Sequence, residues 1–334
     1  MGECPQSLAD IPSGKFHPLR QIFPRKKEPE PRIEGTLMKI GFIGIGMMGG
    51  PMCRNLLKNG HQAVVYDISE DALARISGSG AQRADSPKAV AEAVEVVFTS
   101  LPMPEDVERV IMGGEGNPGI AQGAKAGLLI VDLSTNAPAV VRRLHQELAE
   151  KEIALIDAPV SGGVDGAEGA TLAIMCGGRQ ADFDRVKPLL ECIGANVFLV
   201  GDIGAGSIAK LCNNMTAFAN MAVASEALML ATRAGLEPGK MVEVMQAASG
   251  ASFSLTRLQR KGLKGDWNQE FTLDLSHKDL TLALELGRQS DTPLPFGAYT
   301  YTLMQQARAK GWGGNDVVSL QRLLEEALGT EVRG

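Results

Sequence analysis

Residues 39–61 read KIGFIGIGMMGGPMCRNLLKNGH, in which an apolar run meets three spaced glycines and continues as a helical pattern. Gly44, Gly46 and Gly49 form the pattern G-x-G-x-x-G. Between a strand and a helix, the first glycine makes a tight turn, the second lets a pyrophosphate approach, and the third lets helix pack on strand. The helix N-terminus then faces the phosphates with its partial positive charge. The stretch therefore predicts a dinucleotide-binding loop, with Met47 and Met48 as part of it.

Alternating short β-branched runs and helical patterns follow this loop up to about residue 204. The runs are AVVYDI, VVFTSL, LLIVDLS, ALIDAPV, LAIMCGG and NVFLVG. Such alternation predicts a mostly parallel sheet with helices on both faces. After residue 205 only helical patterns remain, beginning with a helix of about 28 residues over roughly 206–233. Further helices are predicted over 238–249, 252–264, 272–290, 295–310 and 315–328. The predicted fold class is α/β, a Rossmann-type dinucleotide-binding domain followed by an all-α C-terminal domain.

The length of 334 residues suits two domains. Residues 1–37 hold six of the seventeen prolines and show no hydrophobic period, which predicts a disordered arm or leader with Met38 as the natural first residue. The dinucleotide-binding domain is then expected over 38–203. The helical domain, which would serve substrate binding and oligomerisation, is expected over 204–330.

Charge and cysteine usage restrict the partners. A net charge of −6 gives no reason to expect a nucleic acid. The five cysteines form no CxxC pair and the four histidines show no metal-ligand spacing, which fits reduced thiols in the cytoplasm and no metal. The most apolar stretch is interrupted by Asn220, Glu226 and Arg233, so we expect no membrane span. A signal-peptide core is not seen at the N-terminus.

Asp67 follows the second predicted strand, in VVYDIS. A carboxylate there accepts hydrogen bonds from the adenosine ribose hydroxyls and repels a 2′-phosphate. The next residues, Ile68 to Asp71, include no arginine that would accept the phosphate of NADP. The cofactor predicted is NAD, and a simple helix cap is the alternative role of Asp67.

Three further strand ends are expected at the same edge of the sheet, where ligands of such folds bind. Two consecutive glycines after a serine, in Ser161-Gly162-Gly163, would expose backbone N–H groups able to hold a substrate carboxylate. A plain turn explains these residues equally well. The other two strand ends carry Leu101 and Pro102, and Ser134 and Thr135.

Lys210 and Asn214 lie four residues apart in GAGSIAKLCNNM and so share one helix face. Residues 204–207 are small and are expected to leave room for a ligand. A neutral lysine there would take the hydroxyl proton of an alcohol as hydride leaves its carbon, and the ammonium would return it in reduction. This requires a pKa lowered from about 10.4 to about 7–8. The alternative is an ordinary solvated lysine.

With these residues placed, the chain resembles the β-hydroxyacid dehydrogenase family from residue 38 to about 329. The resemblance rests on GFIGIGMMGGPM, DAPVSGGVDGAEGATL, GAGSIAKLCNNM and HKDLTLAL. It implies that Lys210 is catalytic, with Asn214 as its substrate-binding companion. For the substrate, it implies that the carboxylate binds Ser161, Gly162 and Gly163 and that Phe271 lines the pocket. For the cofactor, it implies that the ribose lies near Leu101 and Pro102 and that the nicotinamide lies near Thr135. Lys278 on the cofactor side and Asp279 on the substrate side would close the site. Without the resemblance, the last two would be interpreted as an exposed charged pair.

The substrate implied by the resemblance is a small 3-hydroxy acid or its semialdehyde, as for 3-hydroxyisobutyrate dehydrogenases. The C-terminal half is especially similar to 2-(hydroxymethyl)glutarate dehydrogenase, and tartronate semialdehyde and succinic semialdehyde (glyoxylate) reductases share the motifs. A function of a different class, a non-catalytic dinucleotide-binding scaffold, is the remaining alternative. Because apolar helices of this sort often pack between subunits, a homodimer or homotetramer is expected.

Overall fold

The computed structural model describes residues 37–114 and 116–334. The predicted N-terminal arm lies outside the described residues except for Leu37. Nine strands form one sheet within these residues: β1 Lys39–Ile43, β2 Gln62–Tyr66, β3 Gln82–Arg83, β4 Val96–Thr99, β5 Leu129–Asp132, β6 Ala154–Asp157, β7 Val160–Ser161, β8 Leu172–Gly177 and β9 Gly194–Gly201.

The strand order is β3-β2-β1-β4-β5-β6-β8-β7, with β9 paired to the other side of β8. The first six strands are parallel, β8 runs antiparallel to β6 and β7, and β9 is parallel to β8. The order 3-2-1-4-5-6 reverses between β1 and β4, which is the switch point of dinucleotide-binding sheets. The predicted mostly parallel sheet is confirmed. Strands β3 and β7 were not predicted, since two residues are too short to show a period.

Helices cover both faces of the sheet: α1 Gly49–Lys58, α2 Glu70–Ile76, α3 Pro87–Glu92, α4 Pro104–Met112, α5 Pro138–Ala149, α6 Gly163–Glu168 and α7 Gln180–Glu191. Successive strand residues point to opposite faces. Phe42 and Phe98 stack at a ring distance of 5.7 Å in one core cluster, while their neighbours Ile43 and Val97 belong to the other. Burial on both faces explains why these strands are almost entirely apolar.

The second half is helical, as predicted: α8 Ala205–Arg233, α9 Pro238–Ala247, α10 Phe253–Arg260, α11 Leu273–Gln289, α12 Pro295–Ala309 and α13 Gln321–Leu328. The helical half has its own apolar core, which contains Leu211 and Phe218 of α8 together with Leu255, Leu280 and Met304 from other helices. Two predicted helices are shorter than expected, because 3-10 turns occupy Gly262–Lys264 and Val317–Leu320.

The N-terminus of α8 is fixed to the sheet. Asp157, at the end of β6, is buried and accepts hydrogen bonds from the backbone N–H groups of Gly204 at 2.8 Å and Ser207 at 2.6 Å. A Cβ on Gly206 would lie 2.2 Å from the carbonyl oxygen of Met175. The expectation that these small residues leave room for a ligand is therefore wrong for Gly206. The glycine instead lets the helix begin against the sheet, which fixes the position of Lys210.

By length and composition α8 would also suit a membrane span, with a mean hydropathy of 1.2 over its most apolar 18 residues. Of these residues, 44% are buried inside the protein. Core helices meet the same criteria, so the hydropathy of α8 carries no argument for a membrane.

Candidate active site

The glycine-rich loop joins β1 to α1 at the switch point of the sheet. Gly44 has φ of +85°, and a Cβ there would lie 2.3 Å from the carbonyl oxygen of Ser100. Gly49 packs so closely that its Cβ would lie 1.9 Å from the carbonyl oxygen of Gly44, whereas the space beside Gly46 is open to 4 Å. Tight turn, open approach and close helix packing are the three roles that this glycine pattern serves.

Backbone donors are available at the same loop. Among the described residues, no hydrogen-bond acceptor is found for the N–H groups of Gly46, Met47, Met48 and Gly49. They precede or begin α1, whose N-terminus carries a partial positive charge. Unpaired N–H groups at a helix N-terminus form a site for a phosphate, so the residues present fit a dinucleotide.

Asp67 follows β2, beside this loop. One carboxylate oxygen accepts from the N–H of Ile45 at 2.8 Å, and the other accepts from the N–H of Ser69 at 2.8 Å. The first bond spans 22 residues and joins the carboxylate to the glycine-rich loop. Each oxygen keeps a second lone pair, so Asp67 can still accept from a ribose hydroxyl.

Neighbouring strand ends carry the next two loops. The N–H of Leu101, after β4, donates to Ser134 Oγ at 2.9 Å, which holds this loop against the one after β5. Asp132 is buried and accepts from Thr99 Oγ1 at 2.8 Å and from the N–H of Ser134 at 3.1 Å. Thr135 is half-buried beyond these contacts, and Pro102 is exposed.

The Ser-Gly-Gly segment connects β7 to α6. Gly162 and Gly163 have φ of +137° and +66°, conformations that favour glycine. Their N–H groups have no acceptor within the described part of the chain, and no atom lies within 4 Å of a Cβ built on Gly163. Asn55 of α1 donates to the carbonyl oxygen of Ala167 in α6 at 2.7 Å. This buried bond links the helix of the cofactor loop to the helix of the Ser-Gly-Gly segment.

Lys210 and Asn214 are both buried on α8, with 8% and 5% of their surfaces exposed. Asn214 Nδ2 donates to Asp279 Oδ2 at 2.7 Å. Asp279 Oδ1 lies 2.8 Å from Lys278 Nζ, so the two side chains form an ion pair. The angles at this contact are not those of a hydrogen bond. Lys278 Nζ in turn donates to the carbonyl oxygen of Thr135 at 3.0 Å. Four of the predicted residues thus form one chain of contacts from α8 through α11 to the loop after β5.

Burial lowers the pKa of Lys210 to about 8. The nearby carboxylate of Asp279 raises this pKa and the nearby ammonium of Lys278 lowers it further. Among the described residues, Lys210 Nζ has no hydrogen-bond acceptor. A lysine with this pKa is half-protonated at about pH 8, so both its forms are accessible and it can transfer a proton in either direction.

Phe271 packs beside the lysine-bearing face of α8. It stacks on Phe218 at a ring distance of 6.0 Å, and Phe218 lies two turns beyond Lys210. The backbone N–H of Phe271 donates to Asp316, which is fully buried and paired with Arg257 at 2.6 Å. The segment that carries Phe271 is therefore held by a buried ion pair.

Two family models match successive parts of the chain. Residues 39–201 match the NAD binding domain of 6-phosphogluconate dehydrogenase, and residues 204–324 match the model described as NAD-binding of NADP-dependent 3-hydroxyisobutyrate dehydrogenase. The 2-(hydroxymethyl)glutarate dehydrogenase of Eubacterium barkeri is 41% identical over 298 residues, which cover 89% of this chain and 98% of that relative. The chain belongs to the β-hydroxyacid dehydrogenase family.

Other relatives agree with this membership. The 3-hydroxyisobutyrate dehydrogenase of Pseudomonas aeruginosa is 38% identical to this β-hydroxyacid dehydrogenase over 294 residues, 85% of this chain and 97% of the relative. The solved structure of Mycobacterium tuberculosis 3-hydroxyisobutyrate dehydrogenase with L-serine matches with a TM-score of 0.78 and 28% identity, over 86% of this chain and 99% of that one. The predicted Rossmann-type, NAD-binding oxidoreductase of this family is confirmed.

Several residues that shape the site were not predicted. Asp132 and Asp157 organise the loop after β5 and the start of α8, and each ends an apolar strand in the patterns VDLS and IDAP. A carboxylate at the end of a buried strand, followed by small residues, is the sequence signal that could have found them. Asn55 and Arg257 lie in ordinary helical patterns, and their partners are more than 50 residues away, at Ala167 and Asp316.

Proposed function

We propose that this β-hydroxyacid dehydrogenase interconverts a small 3-hydroxy acid and its semialdehyde, with NAD as preferred cofactor and Lys210 as general acid and base. The observation that carries the proposal is the state of Lys210. The residue is buried with 8% of its surface exposed, its ammonium group has no acceptor among the described residues, and its pKa is about 8. A buried cation without a partner destabilises a fold, so a role in chemistry explains its presence.

The cofactor would be held by the glycine-rich loop and Asp67. The unpaired N–H groups of residues 46–49 suit the pyrophosphate, and the Asp67 carboxylate suits the adenosine ribose. Leu101 and Pro102 would contact the ribose region. Thr135 would lie near the nicotinamide, where Lys278 holds its loop. The bound nicotinamide would accept a hydride from the substrate carbon or return one to it.

The substrate carboxylate would bind the N–H groups of Gly162 and Gly163 and the hydroxyl of Ser161. In oxidation, neutral Lys210 takes the substrate hydroxyl proton onto Nζ, and in reduction its ammonium gives the proton back. Asn214, oriented by Asp279 at 2.7 Å, would bind the same hydroxyl. Phe271 would exclude water from one side of the substrate.

The names of two relatives indicate which substrates are to be tested. The 41% identical relative is named for 2-(hydroxymethyl)glutarate, and the 38% identical relative for 3-hydroxyisobutyrate. These two acids are therefore the first to test, followed by glycerate and 4-hydroxybutyrate, with the matching semialdehydes in the reverse direction.

The test is turnover by Lys210→Met and Lys210→Arg, followed by absorbance of the reduced nicotinamide. We expect both variants to lose roughly 100- to 10,000-fold in kcat, the range found for loss of a general acid–base group. Binding of NADH, measured by fluorescence, should stay within a few-fold of wild type.

Two results would contradict the proposal. Lys210→Met with near-normal kcat would remove the acid–base assignment. A wild-type protein that binds NADH but turns over no acid or semialdehyde in the panel would favour the scaffold function instead.

We further infer a homodimer or homotetramer formed by the helical half. Large apolar side chains are exposed there on five helices, among them Leu230 of α8 at 72% and Phe296 and Tyr299 of α12 at 81% and 58%. Exposed apolar patches of this kind mark protein–protein contacts. Light scattering of the purified protein measures the molar mass directly, and a mass of about 35 kDa would contradict the inference.

A cytoplasmic location is proposed on the state of the thiols. Cys53, Cys176, Cys192 and Cys212 are free, and burial raises the pKa of the Cys53 and Cys176 thiols to about 12. Unpaired thiols of this kind are usual where the surroundings are reducing.

A further inference from the structure

Arg83 and Glu70 form a charged pair on the two elements that flank Asp67 in the fold, and the proposed mechanism does not use this pair. Arg83 of β3 contacts Glu70 at the start of α2 through two bonds, Nη1 to Oε2 at 2.8 Å and Nη2 to Oε1 at 2.6 Å. In the sheet, Arg83 is paired with Val65, two residues before Asp67. Glu70 comes three residues after Asp67. The backbone of Arg83 and the residue that binds its guanidinium group thus lie two and three positions on either side of the carboxylate that would bind the ribose.

This pair changes what the sequence alone predicted about NADP. The residues that follow Asp67 contain no arginine, yet the fold brings one to this place from the neighbouring strand. A guanidinium group with two parallel donors is the usual partner of a phosphate. The same two donors on Arg83 are now bound to both oxygens of Glu70.

We propose that Glu70 helps to keep this enzyme selective for NAD by binding Arg83, which would otherwise serve as a ligand for the 2′-phosphate of NADP. The inference rests on the proposed function, since it requires the adenosine ribose to lie at Asp67. The Glu70–Arg83 pair would be a second determinant of cofactor selectivity, in addition to the repulsion of the 2′-phosphate by Asp67. Both side chains are solvent-accessible, with Arg83 54% and Glu70 74% exposed, so a phosphate can reach the guanidinium group.

Simple charge is the competing explanation. Any acid near the ribose would repel the 2′-phosphate, and removing any of them would help NADP. Asp71 is a matched control for this effect. It is exposed, it is the next residue of the same first helical turn, and it forms no ion pair in the described part of the chain. Asp71→Asn removes the same charge as Glu70→Gln without releasing Arg83.

The experiment compares wild type, Glu70→Gln, Asp71→Asn, Arg83→Gln and the double variant Glu70→Gln/Arg83→Gln. Binding of NADPH and NADH is measured by fluorescence without substrate, and kcat/KM for NADP and NAD is measured with the acid of the panel that the wild type turns over. We expect Glu70→Gln to bind NADPH about fivefold more tightly, the scale of one exposed charge pair. NADH binding should change little, because its 2′-hydroxyl carries no negative charge to pair with Arg83.

The double variant and Asp71→Asn decide the question. The gain for NADPH should vanish in Glu70→Gln/Arg83→Gln and should be absent or clearly smaller in Asp71→Asn. A gain that survives in the double variant, an equal gain in Asp71→Asn, or no gain in Glu70→Gln would overturn the proposal. If the wild type binds neither dinucleotide, the proposed function itself fails, and this result is distinct from the other three.

Discussion

Lys210 is the residue at which the proposed function and the stability of the fold oppose each other. Its pKa falls from 10.5 to about 8 on folding because burial disfavours the ammonium form. At pH 7 both the folded and the unfolded chain carry the proton, so the folded state bears the whole penalty, roughly 3 kcal/mol. Between about pH 8 and 10.5 the unfolded chain binds more protons than the folded one, so the stability contribution of Lys210 improves as pH rises.

Lys210→Met should therefore be inactive and yet more stable than wild type. At pH 7 we expect its free energy of unfolding to be higher by up to about 3 kcal/mol. The gain should shrink as pH rises from 8 towards 10.5, where the wild-type lysine is neutral in the folded state. Urea unfolding of both proteins at several pH values measures this. A variant that is less stable than wild type at pH 7 would mean that the lysine has stabilising contacts in the folded chain.

Local sequence patterns predict single residues of the candidate site but not the residues with which they form hydrogen bonds or ion pairs. Lys210 and Asn214 are predictable because a spacing of four on a helix is a local pattern. The contact of Asn214 with Asp279 joins positions 65 apart, and that of Lys278 with Thr135 joins positions 143 apart. No local pattern encodes such pairs, so Lys278 and Asp279 are predictable as site residues only through the family resemblance. Arg83 is a further case, because the pairing of β3 with β2, and not closeness to Asp67 in the sequence, brings it to this place.

At the scale of the elements, α8 shows what local signals determine and what they do not. Its predicted bounds, 206–233, differ from the observed Ala205–Arg233 by one residue. Hydrophobic period and flanking glycines are local, so they are readable from the sequence. The close contact of Gly206 with Met175 is not readable from the sequence, because it depends on how helix and sheet pack. Asp157 shows the same limit, since its capping bond to Ser207 spans 50 residues.

At the scale of the whole molecule, the site exists only where the two halves meet. The cofactor loop, Thr135 and the Ser-Gly-Gly segment follow strands of the first half, whereas Lys210, Lys278 and Asp279 lie on helices of the second. Lys278 joins the two parts, through Thr135 on one side and Asp279 on the other. Its charge also lowers the pKa of Lys210. The contact between the halves and the acidity of Lys210 are therefore coupled.

Lys278→Met should shift the pH dependence of catalysis. Loss of this ammonium removes a like charge and leaves Asp279 free to stabilise the ammonium form of Lys210, so the pKa of Lys210 rises. Oxidation needs neutral Lys210, so the limb of kcat/KM that rises through about pH 8 in wild type should move upward by about one unit. Reduction needs the ammonium and should stay active to correspondingly higher pH. Lys278→Arg keeps the charge and should keep the limb near its wild-type position. A Lys278→Met limb that stays in place, or moves to lower pH, would show that Lys278 does not set the acidity of Lys210.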